Sequence, residues 1–336
     1  ERGIVGDVAD LIFTKMSAFA SYGFPESHSV SFAYLVYSSA WIKLHEPAVF
    51  CASLLNAQPM GFWAPHSLVQ DAKRHGVVVR SVDINASRAD ATLEECGEST
   101  GGLAVRLGVG SVRGLSSAVA REIETHRPFV NMEDLVRKVP QLHIAQLEAL
   151  ATAGAFNESF GQQRRDALWS AGAVIQSRPD RLQGVTTGAA SPQLPGMQPI
   201  DEMIADLWAT GVASSGHPTE FLRTELERMG VATAAELPMC GVRGDEKVLV
   251  AGTVTHRQRP ATAQGVTFIS LEDETGLINV VCSPGCWIRY RKVARGSGAL
   301  LVRGRLEVGD GGVINVAAEH IAPLSVGAKV AARNFR

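Results

Sequence analysis

The sequence predicts a multidomain chain, mostly helical in its N-terminal and middle regions and closed by a small C-terminal β-barrel of OB-fold type. Three observations carry this. Apolar residues recur at helical spacing from Val8 to about Gly230, and the period switches to two from Lys247 to about Leu324. The helical region is interrupted by SRPDRLQGVTTGAASPQLPGMQPI (177–200), rich in Pro, Gly, Ser and Thr and without periodicity, which reads as a linker or long loop. With 336 residues there is room for two or three domains, each with its own core.

Composition narrows the class. Hydrophobic residues at 46% and charged residues at 20% belong to a globular chain rather than a disordered tail. Cys51, Cys96, Cys240, Cys282 and Cys286 form no regular framework, so free buried thiols in a reducing, cytoplasmic setting are expected. No apolar run approaches the roughly 20 residues of a membrane span. The opening ERGIVGDVAD has no signal-peptide pattern and no initiator methionine, which points to a piece of something longer or to processing. The formal net charge is −2, so any attraction to phosphate must come from local basic patches.

Residues 1–85 read as one α-rich unit. DVADLIFTKMSAFASYG has helical spacing and is stopped by Gly23 and Pro25, and Ser27 or Ser29 is placed to cap SFAYLVYSSAWIKLH. That helix is apolar almost all round, which predicts burial. Pro47 permits a new start in EPAVFCASLLNAQ, APHSLVQDAKRHG is amphipathic with a glycine stop, and VVVRSVDIN reads as a strand entering a turn.

Residues 86–176 change style. GLAVRLGV leads into GSVRGLSSAVAREIETHR, and VPQLHIAQLEALATAGAF follows, each a short punctuated turn with a helix of small residues. Both a helix-hairpin-helix unit and a plain αα-hairpin fit this pattern. In the former, backbone N–H groups of the turn and the next helix hold a phosphate without reading the base, with Arg113, Gly114 and Arg121 as the contacts. Residues 201–246 give two connecting helices, DEMIADLWATGV and PTEFLRTELERMG, the second closed by Gly230.

Residues 247–336 supply the strands VLVAGTVTH, GVTFISLED, GLINVVCS, ALLVRGRLEV and GVINVAAEHI, with turns at 273–276 and 309–312 and a helix, PGCWIRYRKVARG, between the third and fourth. That is the layout of an OB barrel, a frequent binder of single strands. His256, Arg257, Gln258 and Arg259 fall after the first strand. Phe268, Trp287, Arg289, Tyr290, Arg291, Lys292, Arg303 and Arg305 are further candidates for stacking or phosphate contact, with Phe268 read as core and Trp287 as a cap on the barrel. Glu272, Asp273 and Glu274, in the turn between strands two and three, are expected to repel phosphate there.

Ala20–Ser29, ASYGFPESHS, has the composition of an active site. Glu26 and His28 have no nucleophile nearby, the remaining carboxylates are scattered, and the histidines lack zinc-ligand spacing with the cysteines, so neither a catalytic residue nor a metal site is assigned.

YGFPESHSVSFAYLVYSSAWIKLHEPAVFCASLLNAQPMGFWAPHSLVQDAKRHGV, AVRLGVGSVRGL, LEALATAGAF, RRDALW and VAGTVTHRQRPATAQGVTFISLEDETGLINVV together resemble bacterial C-family DNA polymerases, in their error-prone branch. The resemblance covers nearly the whole chain. It implies the C-terminal portion of an alpha-like polymerase: the end of the fingers, a tandem helix-hairpin-helix region, connecting helices and an OB domain. The palm, its catalytic aspartates and Mg2+ would belong to the full-length enzyme, and this chain alone would be inactive. His28 and Lys43 would then lie near incoming nucleotide or template. The implied partners are primer-template or single-stranded DNA and a Y-family-like accessory protein, with a sliding clamp reached indirectly. An alternative reading makes the chain mainly a protein-docking module for that accessory protein. Two departures stand out. Gly114-Leu115 is followed by Ser116 where the hairpin pattern has a second glycine, which predicts a shifted turn, and VATAAELPMCGVRGDE (231–246) holds no clear clamp-binding peptide.

Overall fold

The computed structural model describes residues 6–20, 26–177, 180–182, 184, 188, 190–240, 247–309, 312–327 and 333–335. Helices α1 (Asp7–Ala20) and α2 (Glu26–His45) form as their spacing predicts. Gly23 and Pro25 lie outside the described residues, and Ser27 and Ser29 fall inside α2 rather than capping it. The expected burial of α2 is corrected. Tyr34, Tyr37 and Leu44 are each more than 70% exposed, and Val30, Phe32, Leu35, Val36 and Trp41 are exposed with them. An all-round apolar helix needs neighbours on every side, and the described residues cover only its end.

Pro47 and Pro65 occupy the first turns of α3 (Pro47–Asn56) and α4 (Pro65–Arg74), where a missing N–H costs nothing. The chain then makes a small sheet of β1 (Val79–Arg80), β2 (Thr92–Glu95) and β3 (Leu103–Arg106) in the order β1-β3-β2, parallel then antiparallel. Helix α3 packs against β2 and β3, and the helices α5 (Ser117–His126), α6 (Met132–Lys138), α7 (Ile144–Thr152), α8 (Asn157–Phe160) and α9 (Arg164–Val174) share the core beside it. One core cluster runs from Ala48 to Val212, with Ile84, Ile123, Leu135, Leu147, Leu150 and Phe156 fully enclosed. Each such side chain contributes about 2 kcal/mol of transfer free energy. The expected division at residue 85 therefore falls inside a core. Asp83 makes the seam: its carboxylate accepts from the backbone N–H of Asn85, Ala86 and Ser159 and from the Ser159 hydroxyl.

Beyond the Pro-rich segment come α10 (Pro199–Ala209) and α11 (Arg223–Arg228), the latter ended by Gly230 at φ +75°. Described parts of that segment lie on the helices before it, where Arg165 donates to the Pro195 carbonyl and Arg137 to that of Arg181.

β4 (Val231–Ala232) then leads into the barrel of β5 (Lys247–Gln258), β6 (Thr267–Glu272), β7 (Leu277–Cys282), α12 (Pro284–Gly296), β8 (Ala299–Val308) and β9 (Ile314–Pro323). β5 is long enough to serve two partners, β8 along Lys247–Thr253 and β6 along Thr253–Gln258, while the parallel pair β7–β9 completes the circuit. This is the expected OB layout. Two close approaches in it admit only glycine: a methyl at Gly252 would stand 2.8 Å from the Glu272 carbonyl oxygen, and one at Gly304 would run into that of Ala317. A short β10 (Arg333–Phe335) lies parallel on the end of β5.

The β6–β7 turn plugs the barrel into the helical part. Glu272 accepts from the Ser67 hydroxyl at 2.8 Å and from Arg74 at 3.0 Å; Glu274 accepts from the Thr219 hydroxyl at 2.6 Å and pairs with Arg223. Asp273 takes the Ala234 N–H at 2.7 Å and closes its own turn by accepting from Thr275 and Gly276. Glu272 and Asp273 are wholly buried. The acidic turn is thus spent inside the protein, which corrects the expectation that it repels phosphate.

Candidate nucleic-acid interface

At the hairpin Gly114 takes φ +79°, a conformation open to glycine, and its carbonyl accepts from the Gln146 amide at 2.9 Å. Ser116 stays extended and caps α5 by accepting from the Val119 N–H. The serine that replaces glycine therefore has a stated job, because the left-handed residue of this turn is Gly114. The Arg113 guanidinium lies 5.1 Å from the Trp208 ring centroid, and its backbone N–H donates to Ala209 at 2.7 Å, tying the turn to α10. Arg121, exposed on α5, borders a cavity of about 340 Å³ with Gln58, Asp90, Ser111 and Ser117.

On the barrel the predicted residues separate. β5 extends to Gln258, so His256, Arg257 and Gln258 are strand rather than loop. Arg257 is 6% exposed, and its guanidinium donates to the carbonyls of Ala294 and Ser297 and to Asn334. It braces the end of α12, which corrects its reading as an exposed loop contact. Burial pushes its pKa down, and no carboxylate among the described residues offsets the cost.

Arg259 and Arg291 do converge. With Arg295, Trp287 and Thr267 they line an open cavity of about 700 Å³ whose floor is Arg257. The helix explains the convergence: Trp287, Arg291 and Arg295 are four apart and share one face of α12, while Arg289 and Lys292 are exposed elsewhere on it. Arg295 escaped the sequence reading, although the spacing from Trp287 would have found it. Arg303 is exposed on β8 opposite His320 of β9, away from the cavity lining, and Arg305 is bridged to Glu319 at 3.4 Å.

Trp287 caps the barrel core as expected, at 8% exposed. Phe268 does not join that core. In β6 the inward positions are Thr267, Ile269 and Leu271, which leaves Phe268 outside at 39% exposed. The half-buried His256 meets the rings of Trp63 and Phe62 at 5.5 and 6.2 Å, and burial lowers its pKa.

His28 packs edge-on against Phe32 at 4.6 Å, and Lys43 pairs with Asp71 at 2.9 Å; neither borders the arginine cavity. Among the described residues no three His, Cys, Asp or Glu side chains converge as metal ligands, and no helix is long and apolar enough to cross a membrane.

Two family models match: a helix-hairpin-helix motif over residues 76–167 and an OB-fold nucleic acid binding domain over residues 248–324. All of the chain aligns with error-prone DNA polymerases, at 52% identity over 339 residues for that of Mycobacterium bovis, 52% over 346 residues for Nocardia farcinica and 48% over 337 residues for Corynebacterium efficiens. The chain spans about 30% of the length of these relatives. Among solved structures, asparaginyl-tRNA synthetase from Pyrococcus horikoshii aligns with 27% of this chain and 22% of its own at 21% identity and a TM-score of 0.24, too low to carry an argument.

Proposed function

From this match with error-prone DNA polymerases over the whole chain, we propose that these residues are the DNA-positioning part of such an enzyme, which as a whole would extend primers across damaged template. The observation that carries the reading is the pairing of a helix-hairpin-helix region and an OB barrel in one body, with exposed arginines on each. At the hairpin the turn at Gly114 and the start of α5 offer backbone N–H groups, and Arg113 and Arg121 add charge. On the barrel Arg259, Arg289, Arg291 and Lys292 supply phosphate contacts, with Arg303 on another strand, and exposed Phe268 offers a stacking face. The net charge of −2 is no obstacle, because Glu272, Asp273 and Glu274 are paired internally.

The polymerase chemistry, its metal-binding aspartates and Mg2+ belong in this reading to the other 70% of the enzyme. The exposed apolar face of α2 is where that remainder packs, with His28 and Lys43 at the margin toward nucleotide and template. A Y-family-like accessory protein, and through it a sliding clamp, would dock on the assembled enzyme.

Fluorescence anisotropy with labelled single-stranded and primer-template DNA across a salt series tests the reading. Affinity should fall linearly on a log–log plot as salt rises. Absence of binding down to about 50 mM salt would overturn it, since phosphate contacts release counterions.

A further inference from the structure

The cavity between the β5–β6 loop, α12 and the end of β5 has the character of a built site. Among the described residues its lining holds Arg257, Arg259, Arg291 and Arg295 and no carboxylate, in a protein with more acidic than basic residues. Arg257 is fixed at the floor by two carbonyls and the Asn334 amide oxygen, which orient its charge without neutralising it. A buried cation without a counter-anion is costly, and a ligand anion offsets that cost. A second observation is independent of charge. Thr267, which borders the cavity, is 1% exposed, and its hydroxyl has no hydrogen-bond partner among the described residues. Buried hydroxyls are ordinarily satisfied, and this one is free to donate to an incoming oxygen. The space, about 700 Å³, exceeds what one phosphate fills.

We propose that this cavity is a phosphoryl-binding site, in which Arg259, Arg291 and Arg295 grip phosphate oxygens over the Arg257 floor and Thr267 donates one further hydrogen bond. Planar guanidinium forks match phosphate oxygens in pairs, which favours this class of anion over a carboxylate. The site deepens the DNA-positioning reading by naming the group held, and two sources carry that group: the terminal phosphate of a nucleic-acid strand and a free polyphosphate.

The test is isothermal titration of the whole chain, at fixed ionic strength, with tripolyphosphate and with a single-stranded dT12 carrying or lacking a 5′-phosphate. Tripolyphosphate should bind at one site. The exposed pair Arg291→Ala and Arg295→Ala should weaken it about tenfold or more, with circular dichroism unchanged. Thr267→Val should weaken it severalfold, and Arg228→Ala, exposed at the end of α11 and away from the cavity lining, should leave it unaltered. Competition between tripolyphosphate and phosphorylated dT12 that unphosphorylated dT12 does not show would assign the site to strand ends; tripolyphosphate binding without such competition would assign it to a free polyphosphate. No tripolyphosphate binding, or binding indifferent to Arg291→Ala and Arg295→Ala, would overturn the proposal. Should dT12 still bind with a salt slope in that case, the DNA reading stands and only the cavity assignment fails.

Discussion

His66 and His217 lie ring against ring with 5.6 Å between centroids, both buried, and neither Nε2 atom has a partner among the described residues. Burial drives the His66 pKa down to about 4, and the charges of Lys73 and Arg74 push the same way. His217 is lowered well below its ordinary value by burial, then by His66, Arg74, Lys73 and Arg223. The unfolded chain therefore takes up protons on these rings at a pH where the folded one does not, so stability falls as pH drops from about 6.5 toward 4. For His66 the loss is on the order of 3 kcal/mol. Glu272, raised chiefly by burial, acts in the opposite sense and favours the fold as pH falls. Urea midpoints measured from pH 7 to 4 should decline, and His66→Gln should flatten that decline; an unchanged profile would remove the histidine from the account. None of this was legible in the sequence, because each histidine is unremarkable until the fold sets them face to face. The arginines show the same limit, since Arg257 and Arg259 differ by two positions at a strand end and one is a buried brace while the other is exposed on the cavity lining.

At the scale of elements the barrel was readable because its code is local. Alternation marks each strand, Pro284 marks the start of α12, and the turn residues mark the corners. Pairing depends further on Gly304, where the β8–β9 register shifts and the Ala317 carbonyl leaves no room for a side chain. Gly304→Ala should lower stability by about 2–3 kcal/mol, read as a drop in melting temperature with the barrel's core intact at low temperature. Helix α2 was misread for the opposite reason: its apolar surface specifies that something covers it, not what. The boundary at residue 85 failed similarly, since β1 and β3 pair across it and a change of sequence style need not be a change of core.

Over the whole molecule the governing feature is the acidic turn seated among Ser67, Arg74, Thr219 and Arg223. Removing one partner leaves the other charge buried and uncompensated. Arg74→Met should therefore cost about 3–5 kcal/mol and separate the thermal unfolding of the barrel from that of the helical part. Calorimetry of the variant should show two transitions where the parent shows one, and a single unshifted transition would mean that the turn does not couple the two parts. This arrangement also carries an evolutionary consequence. OB barrels and helical hairpins are often regarded as interchangeable cassettes, yet a barrel borrowed from elsewhere would arrive without its three-carboxylate plug and would leave two arginine sockets empty. The two halves are heritable only as a pair, so recombination that swaps one must bring the other with it.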